Sequence, residues 1–198
     1  MRYFRLDLLA MADPKFYFTD KRTKGLGLST WQMAEGVTIS SKWPTPPPTI
    51  MPSDDTPATK LPDLIGSTVG YLIASPPLRQ CIEEHCPGVE IEYLPIVLLS
   101  HKKRPQSQEY CMVNPIGPCD CLNHVHSKIS YTDDRKVIGV DKFVLDLRKL
   151  DGAPALFRIA EEPSEYVVNE TLARAFGEHN FTNILLKEIE VSASDQSP

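Results

Sequence analysis

Apolar and polar positions alternate from the start of the chain. Phe4, Leu6 and Leu8 fall on one side and Tyr3, Arg5 and Asp7 on the other, so residues 3–9 read as a strand. Phe16, Tyr17 and Phe18 form a second short extended piece. At Ser29 the run STWQMAEG predicts one helical turn, with Ser29 as N-cap and Gly36 as terminator. Residues 37–39 then read as a short strand.

The pattern is strongest after residue 70. Residues 71–74 (YLIA) form a buried strand, Ser75 is an N-cap, Pro76 sits at the first helical position, and PLRQCIEEHC follows as a helix. Leu78, Cys81, Ile82 and His85 recur at spacings of three and four and share one face. Residues 89–99 read as a long strand, with Pro95 marking an edge or a bulge. The polar tip SHKKRPQSQ turns the chain back into residues 110–114 as a hairpin. Further strands are expected at 125–131, 143–147, 155–159, 166–168 and 184–191. Asn169 caps a helix over ETLARAFGEH whose apolar face is Leu172, Ala175 and Phe176.

One stretch breaks the pattern. Residues 43–62 hold seven of the 18 prolines, separated by Ser, Thr and Asp. Proline removes backbone donors and blocks helix and central strand, so this reads as an irregular or polyproline loop. It is an insertion within one domain, because the part before it is too small to fold alone. Strands outnumber helices and short turns join them. The expected fold is therefore α+β, mostly antiparallel sheet with a few short helices, in a single domain over residues 1–191 with a polar tail at 192–198.

Composition narrows the function. The 198 residues carry a formal charge of −5, which disfavours phosphate backbones and anionic lipid and favours a basic protein partner. No run reaches the ~18 apolar residues of a membrane helix, and Asp7 interrupts the only early apolar stretch, so no signal peptide is read and a cytoplasmic location is expected. Five cysteines cannot all pair within one chain, and free thiols are expected.

The sharpest chemical cluster is Cys111, Cys119, Cys121, His124 and His126. Thiolate and imidazole suit zinc, but Cys119-Asp-Cys121 and His124-Val-His126 lack the two-residue knuckle of zinc fingers. Buried thiols beside surface histidines is the preferred reading, although alternate residues of a strand do share a face. Cys121 with His124 has no context marking a nucleophile and its base. Gly25-Leu-Gly27 makes no phosphate-binding loop, and the basic run at 101–104 reads as a solvated hairpin tip. No catalytic residue and no cofactor is assigned.

An ordered series of motifs remains. It comprises Phe16-Tyr17-Phe18, Trp31-Gln-Met-Ala-Glu-Gly36, Ser75-Pro-Pro-Leu-Arg79 and Val89-Glu-Ile-Glu-Tyr-Leu-Pro-Ile96. After these come Glu109-Tyr-Cys-Met-Val-Asn114, Leu156-Phe-Arg158, Val168-Asn-Glu-Thr-Leu172 and Phe181-Thr182. From about residue 14 to 190 the series resembles a family of bacterial immunity proteins of polymorphic toxin systems, typified by a myxobacterial member. The chain departs from it in the long proline-rich stretch and in the cysteines flanking Asp120. The resemblance implies neutralisation of a cognate toxin by direct stoichiometric binding, and transfers no catalytic residue. The implied partner is a basic toxin, such as a nuclease, encoded nearby. Separately, an edge strand near Pro95 would permit a dimer but nothing demands one, so a monomer or weak homodimer is expected. Trp43, Ile50 and Met51 are the candidate contacts, being too apolar for an exposed loop; the alternative is that they complete the core. The other functional readings are a non-toxin adaptor in a bacterial complex and a small zinc- or thiol-dependent enzyme.

Overall fold

A computed structural model describes residues 1–193 apart from 24 and 28. The side chain of Ser29, expected as a cap, and residues 194–198 of the expected tail lie outside the described residues. In chain order the elements are β1 (Tyr3–Leu6), β2 (Phe18–Thr19), α1 (Ser29–Ala34), β3 (Thr49–Ile50), β4 (Leu64–Ser67), β5 (Leu72–Ala74) and α2 (Pro76–His85). Then come β6 (Ile91–Pro95), β7 (Val97–Leu99), β8 (Pro105–Ser107), β9 (Cys111–Pro115), β10 (Lys128–Tyr131), β11 (Val137–Lys142) and β12 (Val144–Asp146). The last four are β13 (Leu156–Arg158), β14 (Tyr166–Asn169), α3 (Glu170–Glu178) and β15 (Leu186–Ser192).

Two five-stranded sheets dominate, ordered β12-β15-β1-β14-β13 and β2-β4-β5-β9-β6; β3-β7-β8 forms a smaller sheet and β10-β11 a hairpin. The α+β class stands, but the sheets are mixed rather than mostly antiparallel. β12 joins β15, β2 joins β4 and β3 joins β7 in parallel, each at the edge of its sheet. These strands arrive by crossovers rather than hairpins, and strand direction leaves no trace in hydrophobic periodicity. Residues 119–122 link the two outer strands of the first sheet. Cys119 N donates to Arg158 O at 2.8 Å, and Asp146 N donates to Cys121 O at 2.9 Å. Neither outer strand therefore presents a free edge there, where further pairing would be a liability.

The strongest sequence patterns became the helices packed between the sheets. Ser75 Oγ accepts from Leu78 N at 3.4 Å, and Asn169 Oδ1 accepts from Leu172 N at 3.0 Å, capping α2 and α3 as expected. Leu78, Cys81 and Ile82 of α2 and Leu172, Ala175 and Phe176 of α3 share one core with Leu6 and Val168 of the first sheet and Leu72 and Val113 of the second. A buried leucine of this kind contributes about 1.5–3 kcal/mol.

Other expectations moved. The strand read at 89–99 divides at Ile96, so that β6 and β7 lie in different sheets, with β6 at an edge, the first of the two alternatives read from Pro95. Residues 43–62 are not wholly irregular, because Thr49 and Ile50 pair with Val97 and Leu98. Residues 37–39 form no strand; instead the Ile39 and Ser40 amides donate to the Glu92 carboxylate. The turn at 123–127 delays β10 to Lys128.

Candidate functional site

Arg158 at the end of β13 is 1% exposed, and among the described residues no carboxylate lies within salt-bridge distance of it. Its charge is met by oxygen dipoles. Nε donates to Pro115 O at 3.3 Å, Nη1 to Pro163 O at 2.6 Å and Ala34 O at 3.4 Å, and Nη2 to Asn114 Oδ1 at 3.1 Å. The guanidinium also lies 4.2 Å from the centre of the Tyr166 ring, a cation–π contact. Asn114 in turn donates to Val37 O at 3.1 Å and Glu92 Oε2 at 3.0 Å. Gly36 passes so close that a Cβ would stand 3.1 Å from Arg158 Cδ and from Pro115 O, and its φ of +67° suits glycine. Gly36, Glu92, Asn114 and Arg158 come from four of the motif stretches read in the sequence. Their shared role is to lock α1 and the loop after it onto β6, β9 and β13.

That lock shapes a groove of about 670 Å³ beside it. Ala34 and Ser164 line the groove next to the two backbone segments that Arg158 holds. Tyr166 adds a third tie, donating its hydroxyl to Gly70 O at 3.3 Å. Leu8 and Val69 give the groove an apolar lining, and Leu9 and Trp31 stand at it 62% and 64% exposed. Two charges lie there, Arg22 and Glu165. Burial pushes the Glu165 carboxyl above its usual range; Arg5, 3.5 Å away, offsets this only in part. An exposed indole beside an under-compensated carboxylate is equipped to take an apolar and cationic segment of another molecule.

The cysteine–histidine set of the sequence does not assemble. Cys111 is buried in the core with Cys81 and Cys86, and burial pushes its thiol up to about 11. His126 is exposed in the turn before β10. Cys119 and Cys121 do meet. The Cys121 thiol hydrogen-bonds Cys119 and holds it below the ordinary thiol range despite burial, while the same bond and burial push Cys121 up. His124 pairs through Nε2 with Glu161 Oε1, and Asp120 completes a three-residue cluster with them. Asp120 was noted in the sequence only as flanked by cysteines, and its meeting with Glu161 was not read, because carboxylates about forty residues apart have no spacing to notice.

Of the three apolar loop residues, Ile50 is 1% exposed and belongs to the core with Tyr17 and Leu98. Trp43 is half-buried against that core and donates from Nε1 to Pro95 O at 2.9 Å; Met51 is also half-buried. Trp31, the more exposed indole, belongs to a helical turn and a family motif in the sequence reading, and is not among its candidate contacts.

A model for immunity proteins matches residues 10–191, nearly the whole of this fold and all of the Arg158 lock. The chain belongs to that family, the Immunity protein family (Imm11). Among curated proteins, none matches. Immunity families protect cells against toxins and are generally not enzymes. No helix among the described residues is long and apolar enough to cross a membrane.

Proposed function

We propose that this protein neutralises one cognate bacterial toxin by binding it directly and stoichiometrically, with the groove beside Trp31 as the contact. Family membership supports immunity in general. The observation that carries the finer reading is the groove itself, where Trp31 and Leu9 stay exposed on a wall that Arg158 and Tyr166 hold rigid. Rigid aromatic anchors lose little entropy on binding and dominate interface energies. The net charge of −5 and the Glu165 carboxylate favour a basic toxin, since complementary charge accelerates encounter and rejects wrong partners. Trp43 and Met51, half-buried in the proline-rich stretch, are candidates for a second, peripheral contact. The protein acts without catalysis, in the cytoplasm, as one folded unit.

Co-expression tests this. The product of a neighbouring gene is expressed in a test bacterium alone and together with this chain. Killing by the neighbour alone and restored growth with both support the proposal. A harmless neighbour, or failure of a well-expressed chain to rescue, removes that pair as toxin and antidote and favours an adaptor role.

A further inference from the structure

Asp120, His124 and Glu161 each offer one ligand atom, and the three atoms lie within 4.8 Å of one another. In a tetrahedral zinc site, ligand atoms about 2.1 Å from the ion stand roughly 3.4 Å apart, so small side-chain adjustments would bring these three onto one ion. Carboxylates and histidines often meet on surfaces without a metal. The second observation here is Glu161. Its side chain is only 9% exposed, and its Oε2 is buried with no hydrogen-bond partner. Its other oxygen, Oε1, faces His124 Nε2. A buried carboxylate oxygen left unpaired is strongly disfavoured, and a cation bound by this same carboxylate would relieve that cost.

The ligands are also held in place. Lys149 Nζ donates to Asp120 Oδ1 at 2.7 Å and to Leu122 O at 3.0 Å, which leaves Oδ2 free of that bond and orients the carboxylate. Asn123 Oδ1 accepts from Val125 N at 3.0 Å and His126 N at 3.2 Å, fixing the turn that carries His124. Such outer contacts are the usual support of a metal site. Cys119 N and Ala160 N bind the 119 and 158–160 strands together, at 2.8 and 2.9 Å, so Asp120 and Glu161 flank one rigid seam.

We propose that Asp120, His124 and Glu161 bind one divalent transition-metal ion of the zinc class. One imidazole nitrogen and two carboxylate oxygens suit zinc, and the exposed positions of Asp120 and His124 leave the fourth ligand position toward solvent. The ion would clamp residues 119–124 to the end of β13. This inference is independent of the groove beside Trp31.

Titration of the purified full-length protein with ZnCl2, followed by calorimetry, tests it, with CoCl2 absorbance reporting the ligand types. The expected result is one ion per chain and a cobalt spectrum without thiolate charge transfer. His124→Ala and Glu161→Gln should each weaken binding by roughly tenfold or more, and Cys119→Ser should leave it unchanged. His124 is 51% exposed, so His124→Ala will fold, which circular dichroism checks. No binding by the unmodified protein overturns the proposal. So does binding that survives His124→Ala, or binding that Cys119→Ser abolishes.

Discussion

Arg158 Nη2 donates to Asn114 Oδ1 at 3.1 Å, joining β13 to β9 across 44 residues of sequence. Both side chains are buried, and through them one cation held by neutral oxygen acceptors organises α1, β6 and the groove wall. Arg158→Met would fill the volume and leave four oxygen acceptors without their donor. The expected loss is about 1–3 kcal/mol, the usual cost of leaving a buried acceptor unsatisfied, and more if several of the four stay unpaired. Arg158→Lys should recover little of it, since one ammonium cannot reach the fork of acceptors. Urea unfolding of both variants checks this.

Glu92 gives the network a pH dependence. Burial by itself would raise its pKa, but hydrogen bonds from the Ile39 and Ser40 amides, the Ser40 hydroxyl and Asn114 outweigh it, so the carboxyl titrates below its usual range. A depressed folded pKa gives stability that is fully present above the unfolded value, about 4.3, and is lost as pH falls through the folded value. Glu92→Gln should therefore lower the urea midpoint at neutral pH and flatten its decline in acid. Midpoints measured at a series of pH values, from neutral down through the carboxylate range, decide the matter.

Gly66 on β4 permits the second sheet to close against β2. A Cβ there would stand 2.5 Å from Phe18 Cδ2 and 2.6 Å from Ala10 O, and the carbonyl belongs to backbone that cannot swing aside. Gly66→Ala should cost about 1–3 kcal/mol, as overpacked cores do. A thermal melt measured against the parent protein checks it.

The helices and their caps were legible because each is a local event. Ser75 ahead of two prolines and Asn169 ahead of Glu170 mark where orphan amides need an acceptor, and spacing alone placed Leu172, Ala175 and Phe176 inward. Residues 137–142 went unread as a strand because Gly139 and Asp141 interrupt a segment that is half exposed on both faces. The parallel edges depend on crossovers that no local signal encodes. The motif stretches containing Gly36, Glu92, Asn114 and Arg158 could be read, but not that these residues converge, since Arg158 and Ala34 meet across 124 positions. The groove draws on several separate segments, and Trp31 looked in sequence like any residue of a short helix.

Trp31 is exposed, so Trp31→Ala should change folding stability by no more than about 0.5 kcal/mol. As a binding anchor it should matter far more, at about 2 kcal/mol or above, roughly thirtyfold in Kd. The decisive measurement is calorimetric titration of the purified cognate toxin with the parent protein and with Trp31→Ala. A one-to-one complex that the substitution weakens at least about thirtyfold, with the fold intact, is the predicted result. No complex with the parent protein would contradict direct neutralisation, and a complex that Trp31→Ala leaves unchanged would contradict the groove as its site.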